Sequence, residues 1–333
     1  MRYTTFGRTG FKLSQLSMGC NRLGDPGVDP TAWPPIVDEA IDLGINFFDT
    51  SNSYNQGRSE AILGDVTAAH PTATVIATKG GVPVESNNFR ARDFSRQNVL
   101  NAAEDSLRRL RRDTIDLYMP HSPSVSQLQD DSWAGAIEQL KAEGRIRAFG
   151  ISTHDHASGI KAIEKGAEFL QIDYDILDPS AEDELLPMAQ QHEVAIMVRT
   201  PLARGLLTGK FRAGQPLSPE EQWRRPTGGE LQRRLRRVEQ LRFLERDGQT
   251  VAQAALRWIL EHPAVHCVIP GARTVDQLRS NVGAVDGDLR PEESARQLLN
   301  CTPLGGRRLG NSPNSRAATA VAGGGSQLIV IAG

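Results

Sequence analysis

Eight short runs rich in β-branched and aromatic residues recur along the chain, and segments with helical period lie between them. The runs are Leu13–Cys20, Ile45–Thr50, Thr74–Lys79, Thr114–Met119, Ile146–Ile151, Glu168–Asp173, Val194–Arg199 and His266–Pro270. Most are apolar almost throughout, the pattern of strands buried on both faces of a parallel sheet. Between them, Val99, Ala102, Ala103, Leu107 and Leu110 line one helical face, with Glu104, Arg108 and Arg109 elsewhere. The same period holds at 33–43, 60–69, 133–142, 160–163, 185–191, 251–261 and 275–285. Gly44, Gly144 and Gly166 each follow a helical segment and precede a strand, the left-handed position at which a helix ends. Eight strands alternating with helices in 333 residues predict an α/β fold, a (β/α)8 TIM barrel. A doubly wound sheet lacks its fingerprint, because no G-x-G-x-x-G opens a helix after the first strand. Gly205-Leu-Leu-Thr-Gly209-Lys210 is one residue short of a phosphate-binding P-loop.

Three segments stand outside the alternation. Residues 1–13 carry Gly7-Arg8-Thr9-Gly10 between extended runs and read as an N-terminal β-hairpin that plugs the barrel floor. Residues 211–248, a helical insertion after strand seven, hold Arg224, Arg225, Arg233, Arg234, Arg236 and Arg237. That charge run reads first as a solvated helix, with a loop that holds an anionic cofactor over the barrel mouth as the alternative. Residues 301–333, rich in Gly, Ala, Ser and Asn, read as a poorly ordered C-terminal tail, which leaves 1–300 as the barrel.

Hydrophobic residues at 39% and charged residues at 23% describe a globular chain, not a disordered one. A net charge of -2 gives no basic field, so nucleic acid is not expected as a partner. Cys20, Cys267 and Cys301 are scattered, which argues against a disulfide framework or structural zinc and for a reducing compartment. The N-terminus has no apolar core, and runs such as Val194–Val198 and Leu328–Ala332 are too short to span a bilayer. The expectation is a soluble, cytoplasmic protein with no membrane partner.

Active sites of such barrels sit at the carboxyl ends of the strands. Those ends carry Asp49, Lys79, His121, Ser152, Gln171 and Arg199, with Tyr54 in the loop five residues beyond Asp49. A phenol titrates near ~10 in water, too high for ready proton transfer at neutral pH. A nearby ammonium favours the phenolate, and a carboxylate keeps that ammonium charged and aimed. Asp49, Lys79 and Tyr54 have that relation, and His121 can orient a carbonyl oxygen. The set suits protonation of an oxygen while hydride arrives at carbon. No side chain supplies hydride, so a nicotinamide must.

Phe48-Asp49-Thr50, Tyr54 and Ser59-Glu60 resemble the signature of the aldo-keto reductase family around its catalytic Asp and Tyr. Ala77-Thr78-Lys79 is similar to that family's lysine strand, and Asp116-Leu-Tyr-Met-Pro-His121 to its histidine strand. Gly150-Ile-Ser152 and Gln171 resemble the positions that hold the cofactor's carboxamide. Pro201, Leu202 and Gly205 through Lys210 resemble the loop over the pyrophosphate. Ile269-Pro270-Gly271-Ala-Arg273, with Gln277 and Asn281, is similar to the adenosine-phosphate segment, with Arg273 on a 2′-phosphate. Gly19 and Cys20, at the end of the first run, are counted with the cofactor-binding residues, as is Asp49. The resemblance covers about residues 1–290 and implies an NADPH-dependent carbonyl reductase acting on a small aldehyde or ketone. In it Tyr54 is the general acid, helped by Lys79, Asp49 and His121. The chain departs from the family at Asn55 (Gly is common), Thr153 (Asn), Arg199 (an aromatic that stacks on nicotinamide) and Ser280 (an acid).

Two other readings stand beside this one. A barrel could hold NADPH as a redox-sensing or regulatory module with little turnover. His154-Asp155-His156 could hold a metal for isomerase chemistry, but no further ligand lies nearby in sequence, so no metal is expected.

Overall fold

The computed structural model describes residues 1–285, apart from 71, 216, 219, 220, 222–226 and 247. Two short strands come first, β1 (Tyr3–Thr5) and β2 (Lys12–Ser14), paired antiparallel with Tyr3 opposite Ser14. Eight parallel strands follow: β3 (Met18–Gly19), β4 (Phe47–Asp49), β5 (Val75–Gly80), β6 (Ile115–Pro120), β7 (Ile146–Ser152), β8 (Phe169–Asp173), β9 (Ala195–Arg199) and β10 (Val265–Val268). Each is hydrogen-bonded to its neighbour in chain order. The first and last meet as well. Ser17 N donates to Val268 O at 3.0 Å, Val268 N to Gln15 O at 2.8 Å and Gly19 N to Pro270 O at 3.1 Å, closing the sheet into a barrel. Gly19 is required there, since a Cβ would come within 2.6 Å of the Ile269 carbonyl oxygen.

The helices are α1 (Pro34–Asp42), α2 (Arg58–Thr67), α3 (Arg96–Leu110), α4 (Val125–Gln129), α5 (Ser132–Ala142), α6 (His156–Glu164), α7 (Leu185–Gln191), α8 (Gly228–Gln240), α9 (Val251–Leu260) and α10 (Val275–Val282). The expected segments fall within a few residues of these. Gly44, Gly144 and Gly166 have φ of 86°, 69° and 83°, as the helix-stop argument requires. The helices pack on the sheet's outer face through one large cluster that includes Ile76, Leu107, Phe149, Leu170 and Val198. Inward residues form a second cluster: Phe47, Ala77, Leu117, Met119, Ala148, Phe169, Ala195, Met197 and Cys267.

Phe6, Phe11 and Leu13 belong to that inner cluster, so the hairpin does plug the floor. The Phe6 ring lies 5.6 Å from Phe169 and 6.5 Å from Phe47. One expectation is corrected here. Leu13–Cys20 is not one strand, because its first part pairs in the hairpin and only Met18–Gly19 joins the barrel. Between them the chain turns on Ser17 Oγ, which donates to Ser14 O at 2.8 Å.

Within the insertion, α8 buries Leu231, Leu235 and Val238 on one face. Arg233 and Arg234 bond Glu230, and Arg237 donates to Leu177 O at 3.0 Å. These arginines thus follow the helix reading. Arg224, Arg225 and the tail lie outside the described residues. Among the described residues, no helix is long and apolar enough to cross a membrane.

Candidate active site

Strand parity explains why polar groups gather at one end. Side chains alternate faces along a strand, so the inward positions of β5 run Ala77, Lys79, and those of β8 run Phe169, Gln171. The apolar member of each pair fills the barrel, and the next inward residue reaches the mouth. Asp49 follows Phe47, His121 follows Met119, Ser152 follows Ala148 and Gly150, and Arg199 follows Met197 by the same step. The same parity puts Cys20 outside. It is fully buried with Leu16 and Met18 in the outer cluster, where burial pushes its thiol pKa well up. The Cys20 side chain therefore packs among the outer apolar residues as a buried thiol.

Lys79 is fully buried at the centre. Its Nζ donates to both Asp49 oxygens at 2.8 Å and to Thr50 O at 2.7 Å. Tyr54 Oη lies 3.4 Å from Nζ, and the ammonium stands 4.9 Å from the tyrosine ring centroid. An unpaired buried ammonium would cost several kcal/mol, so the Asp49 pairing is what permits it. Tyr54 sits in a tight turn in which Asn55 and Gln56 have φ of 49° and 60°. Asparagine tolerates that region better than most residues, and Asn55 Nδ2 donates to Leu23 O at 2.7 Å.

His121 is buried, with Nδ1 3.1 Å from Ser51 Oγ. Its ring meets Tyr54 edge-on at 5.7 Å and Phe89 at 4.8 Å. Burial first, and then the charges of Lys79 and Arg199, hold its pKa well below the usual histidine value, so the imidazole is neutral.

A chain of hydrogen bonds runs around the far side of the mouth. Arg199 donates to Ser152 Oγ at 2.8 Å, Ser152 to Gln171 Oε1 at 2.9 Å, and Gln171 Nε2 to Asp49 Oδ1 at 2.7 Å. Arg199 Nε also bonds Asp173 at 2.9 Å, and His154 Nδ1 lies 2.8 Å from the same carboxylate. Burial pushes the Asp173 carboxyl up, but His154, Arg199 and Thr200 outweigh it and bring it down to about 2. Sequence reasoning missed Asp173, Ser51 and Phe89. Asp173 was legible by parity, as the inward residue after Gln171.

His154 and His156 do not converge. His154 faces Asp173, whereas His156 opens α6 behind the Asp155 cap.

A nicotinamide dinucleotide fits the donors present. Ser152 and Gln171 offer hydroxyl and amide groups suited to a carboxamide, and Lys210 and Arg273 are exposed cations beyond β9 and β10. The loop after β9 turns through left-handed Thr200, Ala203, Arg204 and Gly205, carrying Pro201 and Leu202 across the mouth end. Gly271 O accepts from Asn281 Nδ2 at 3.4 Å, and Arg273 N donates to Gln277 Oε1 at 2.9 Å, so both side chains order this turn. Lys210 pairs with Glu221 at 2.9 Å, and Arg273 lies 3.7 Å from Asp25.

A buried ammonium and carboxylate, a half-buried phenol and a buried neutral imidazole at the carboxyl ends of a closed parallel barrel define a barrel enzyme equipped for proton transfer. A model of the Aldo/keto reductase family matches residues 15–297. YqkF, an uncharacterised oxidoreductase of Bacillus subtilis, is 31% identical over 311 residues, 91% of this chain and 97% of that protein. The holo form of the aldo-keto reductase AKR11C1 from Bacillus halodurans is similar at a TM-score of 0.75 and 32% identity, covering 90% of this chain and 95% of that one. The glycerol dehydrogenase AKR11B4 from Gluconobacter oxydans matches with a TM-score of 0.79 at 26% identity, over 94% and 98% of the two chains. The chain belongs to the aldo/keto reductase family, oxidoreductases that use nicotinamide cofactors.

Proposed function

We propose that this protein reduces a small aldehyde or ketone to the alcohol with NADPH, with Tyr54 as general acid. The observation that carries the reading is the Lys79 ammonium, buried between the Asp49 carboxylate at 2.8 Å and the Tyr54 hydroxyl at 3.4 Å. When bound, the nicotinamide supplies hydride to the carbonyl carbon. Tyr54 Oη gives its proton to the carbonyl oxygen as negative charge builds there, and Lys79 faces the phenolate left behind. Asp49 keeps the ammonium charged and aimed. Ser51 Oγ stands 3.1 Å from Nδ1, and in the tautomer with Nδ1 accepting, His121 would carry its proton on Nε2 and hold the carbonyl oxygen toward Tyr54. Ser152, Gln171 and Arg199 orient the carboxamide, with Gly19 backing the same rim. Pro201, Leu202, Gly205 and Lys210 would hold the pyrophosphate. Gly271, Arg273, Gln277 and Asn281 would hold the adenosine phosphate, and Arg273 would favour NADPH over NADH.

The test is NADPH oxidation, followed by absorbance with a panel of carbonyls, in the parent and in Tyr54→Phe. Tyr54→Phe should lower kcat about 100-fold or more while NADPH binding, read by fluorescence, is retained. Equal turnover in the two proteins overturns the role of Tyr54. Tight NADPH binding with no turnover on the whole panel would favour the regulatory reading instead.

A further inference from the structure

One cation at the mouth has no task in this scheme. Arg92 follows the turn Phe89–Ala91 in the loop between β5 and α3. The loop is pinned to the barrel top, with Asp93 N donating to Gly81 O at 2.9 Å and Asn52 Nδ2 to Val82 O at 3.1 Å. From there Phe89 reaches the His121 ring, and the Arg92 guanidinium donates to the carbonyl of Ser122, the residue after His121. Lys79 is paired with Asp49, and Arg199 with Asp173. Arg92 is half-buried and has no carboxylate within ion-pair distance among the described residues. The adjacent Asp93 carboxylate is turned to Ser95 N, at 2.8 Å.

Ser122 adds an independent observation. Its hydroxyl is buried and has no hydrogen-bond partner, although its N–H donates to Ser152 O at 2.9 Å. Its φ of 57° is unusual for a serine, and this puts a kinked, under-satisfied residue directly beyond the imidazole. An unpaired guanidinium beside an unpartnered buried hydroxyl is the donor set of an anion site. The cationic groups of β9 lie across the barrel from it, because three strands separate β5 from β9 in either direction around the closed sheet.

We propose that Arg92 and Ser122 form an anion subsite for the substrate, so that the protein takes carbonyl compounds bearing a carboxylate or phosphate close to the reacting carbon. The inference rests on the reading of Tyr54 and His121 as the groups that hold the carbonyl oxygen. Ser122 adjoins His121 in the chain and Arg92 bonds its carbonyl, so a charged group on the substrate next to the reacting carbon is proposed to reach this pair. The charge of Arg92 acts at His121, and with no carboxylate partner among the described residues it attracts an anion bound there.

Matched pairs test it: phenylglyoxylate against its methyl ester, and dihydroxyacetone phosphate against dihydroxyacetone, each with NADPH. The charged member of at least one pair should have the higher kcat/KM by about tenfold or more, and which pair responds separates carboxylate from phosphate. Arg92→Gln should collapse that ratio toward one, Arg92→Lys should restore part of it, and Ser122→Ala should reduce it less. A preference for the neutral member of both pairs overturns the proposal, as does a ratio that Arg92→Gln leaves unchanged. Calorimetric binding of mandelate, which carries the carboxylate but no carbonyl, separates this proposal from the catalytic reading. Binding weakened in Arg92→Gln but retained in Tyr54→Phe supports the subsite even if no carbonyl turns over. Mandelate binding equal in the parent and Arg92→Gln counts against it.

Discussion

Lys79 shows what burial does to a single charge. Replacing Lys79 by Met leaves the Asp49 carboxylate buried with only Gln171 as a side-chain donor, and should cost about 3–5 kcal/mol of stability. Adding Asp49→Asn removes the stranded charge, so the double variant should recover much of that loss while remaining inactive. Chemical denaturation of the parent, both singles and the double gives the coupling directly. Asp175 supplies the pH counterpart. Burial pushes its carboxyl up to about 7, against hydrogen bonds from Leu177 N and Asp178 N. The folded state therefore holds a proton that the unfolded chain gives up near pH ~4. This contribution is fully present below that pH and is lost as pH rises through about 7, at up to about 1.4 kcal/mol per pH unit. Relative to Asp175→Asn, the parent should lose stability from pH 5 to pH 7.5, a difference that denaturation midpoints will show. Lys79 and Asp49 were legible as strand-end residues, because inward parity is written in the sequence. Asp175 was not, since it lies beyond β8 in a turn whose Leu177 carbonyl is bonded by Arg237 of α8, a pairing of segments far apart in the chain.

Individual elements depend on a few inward-facing anchors. The hairpin is held to the floor by Phe6, which is fully buried against Phe47 and Phe169. Phe6→Ala should cost about 3–5 kcal/mol, with little change in KM because the floor lies at the other end of the barrel from the site. A melting curve together with steady-state kinetics checks both halves of that statement. The first turn of α2 has a comparable anchor. Glu60 is fully buried, accepts from Arg109 Nε at 2.6 Å and bonds the Thr78 hydroxyl, so it ties α2 to α3 and to the strand that carries Lys79. Helix positions were readable because each buries one stripe at helical spacing. The division of Leu13–Cys20 into β2 and β3 was not. An unbroken run of strand-forming residues carries no mark of where its pairing partner changes; there Ser17 Oγ bonds Ser14 O and the Asn46 side chain takes Ser14 N at 2.7 Å.

Across the whole molecule, the closed order of eight strands follows from alternation plus chain length, whereas the strength of the closure does not. The seam depends on main-chain bonds made by Ser17, Gly19 and Val268 and on the missing Cβ of Gly19. Gly19→Val should therefore lower the unfolding midpoint more than the same change at exposed Gly27, a comparison that calorimetry can make.

That seam joins segments from opposite ends of the described chain, and synthesis is directional. A nascent polypeptide emerging from the ribosome will have exposed Asp49, Tyr54, Lys79 and His121 long before Val268 arrives to latch the cylinder. The residues proposed to move a proton are thus translated first, and those proposed to grip the adenosine end are translated last, together with the strand that locks the ring.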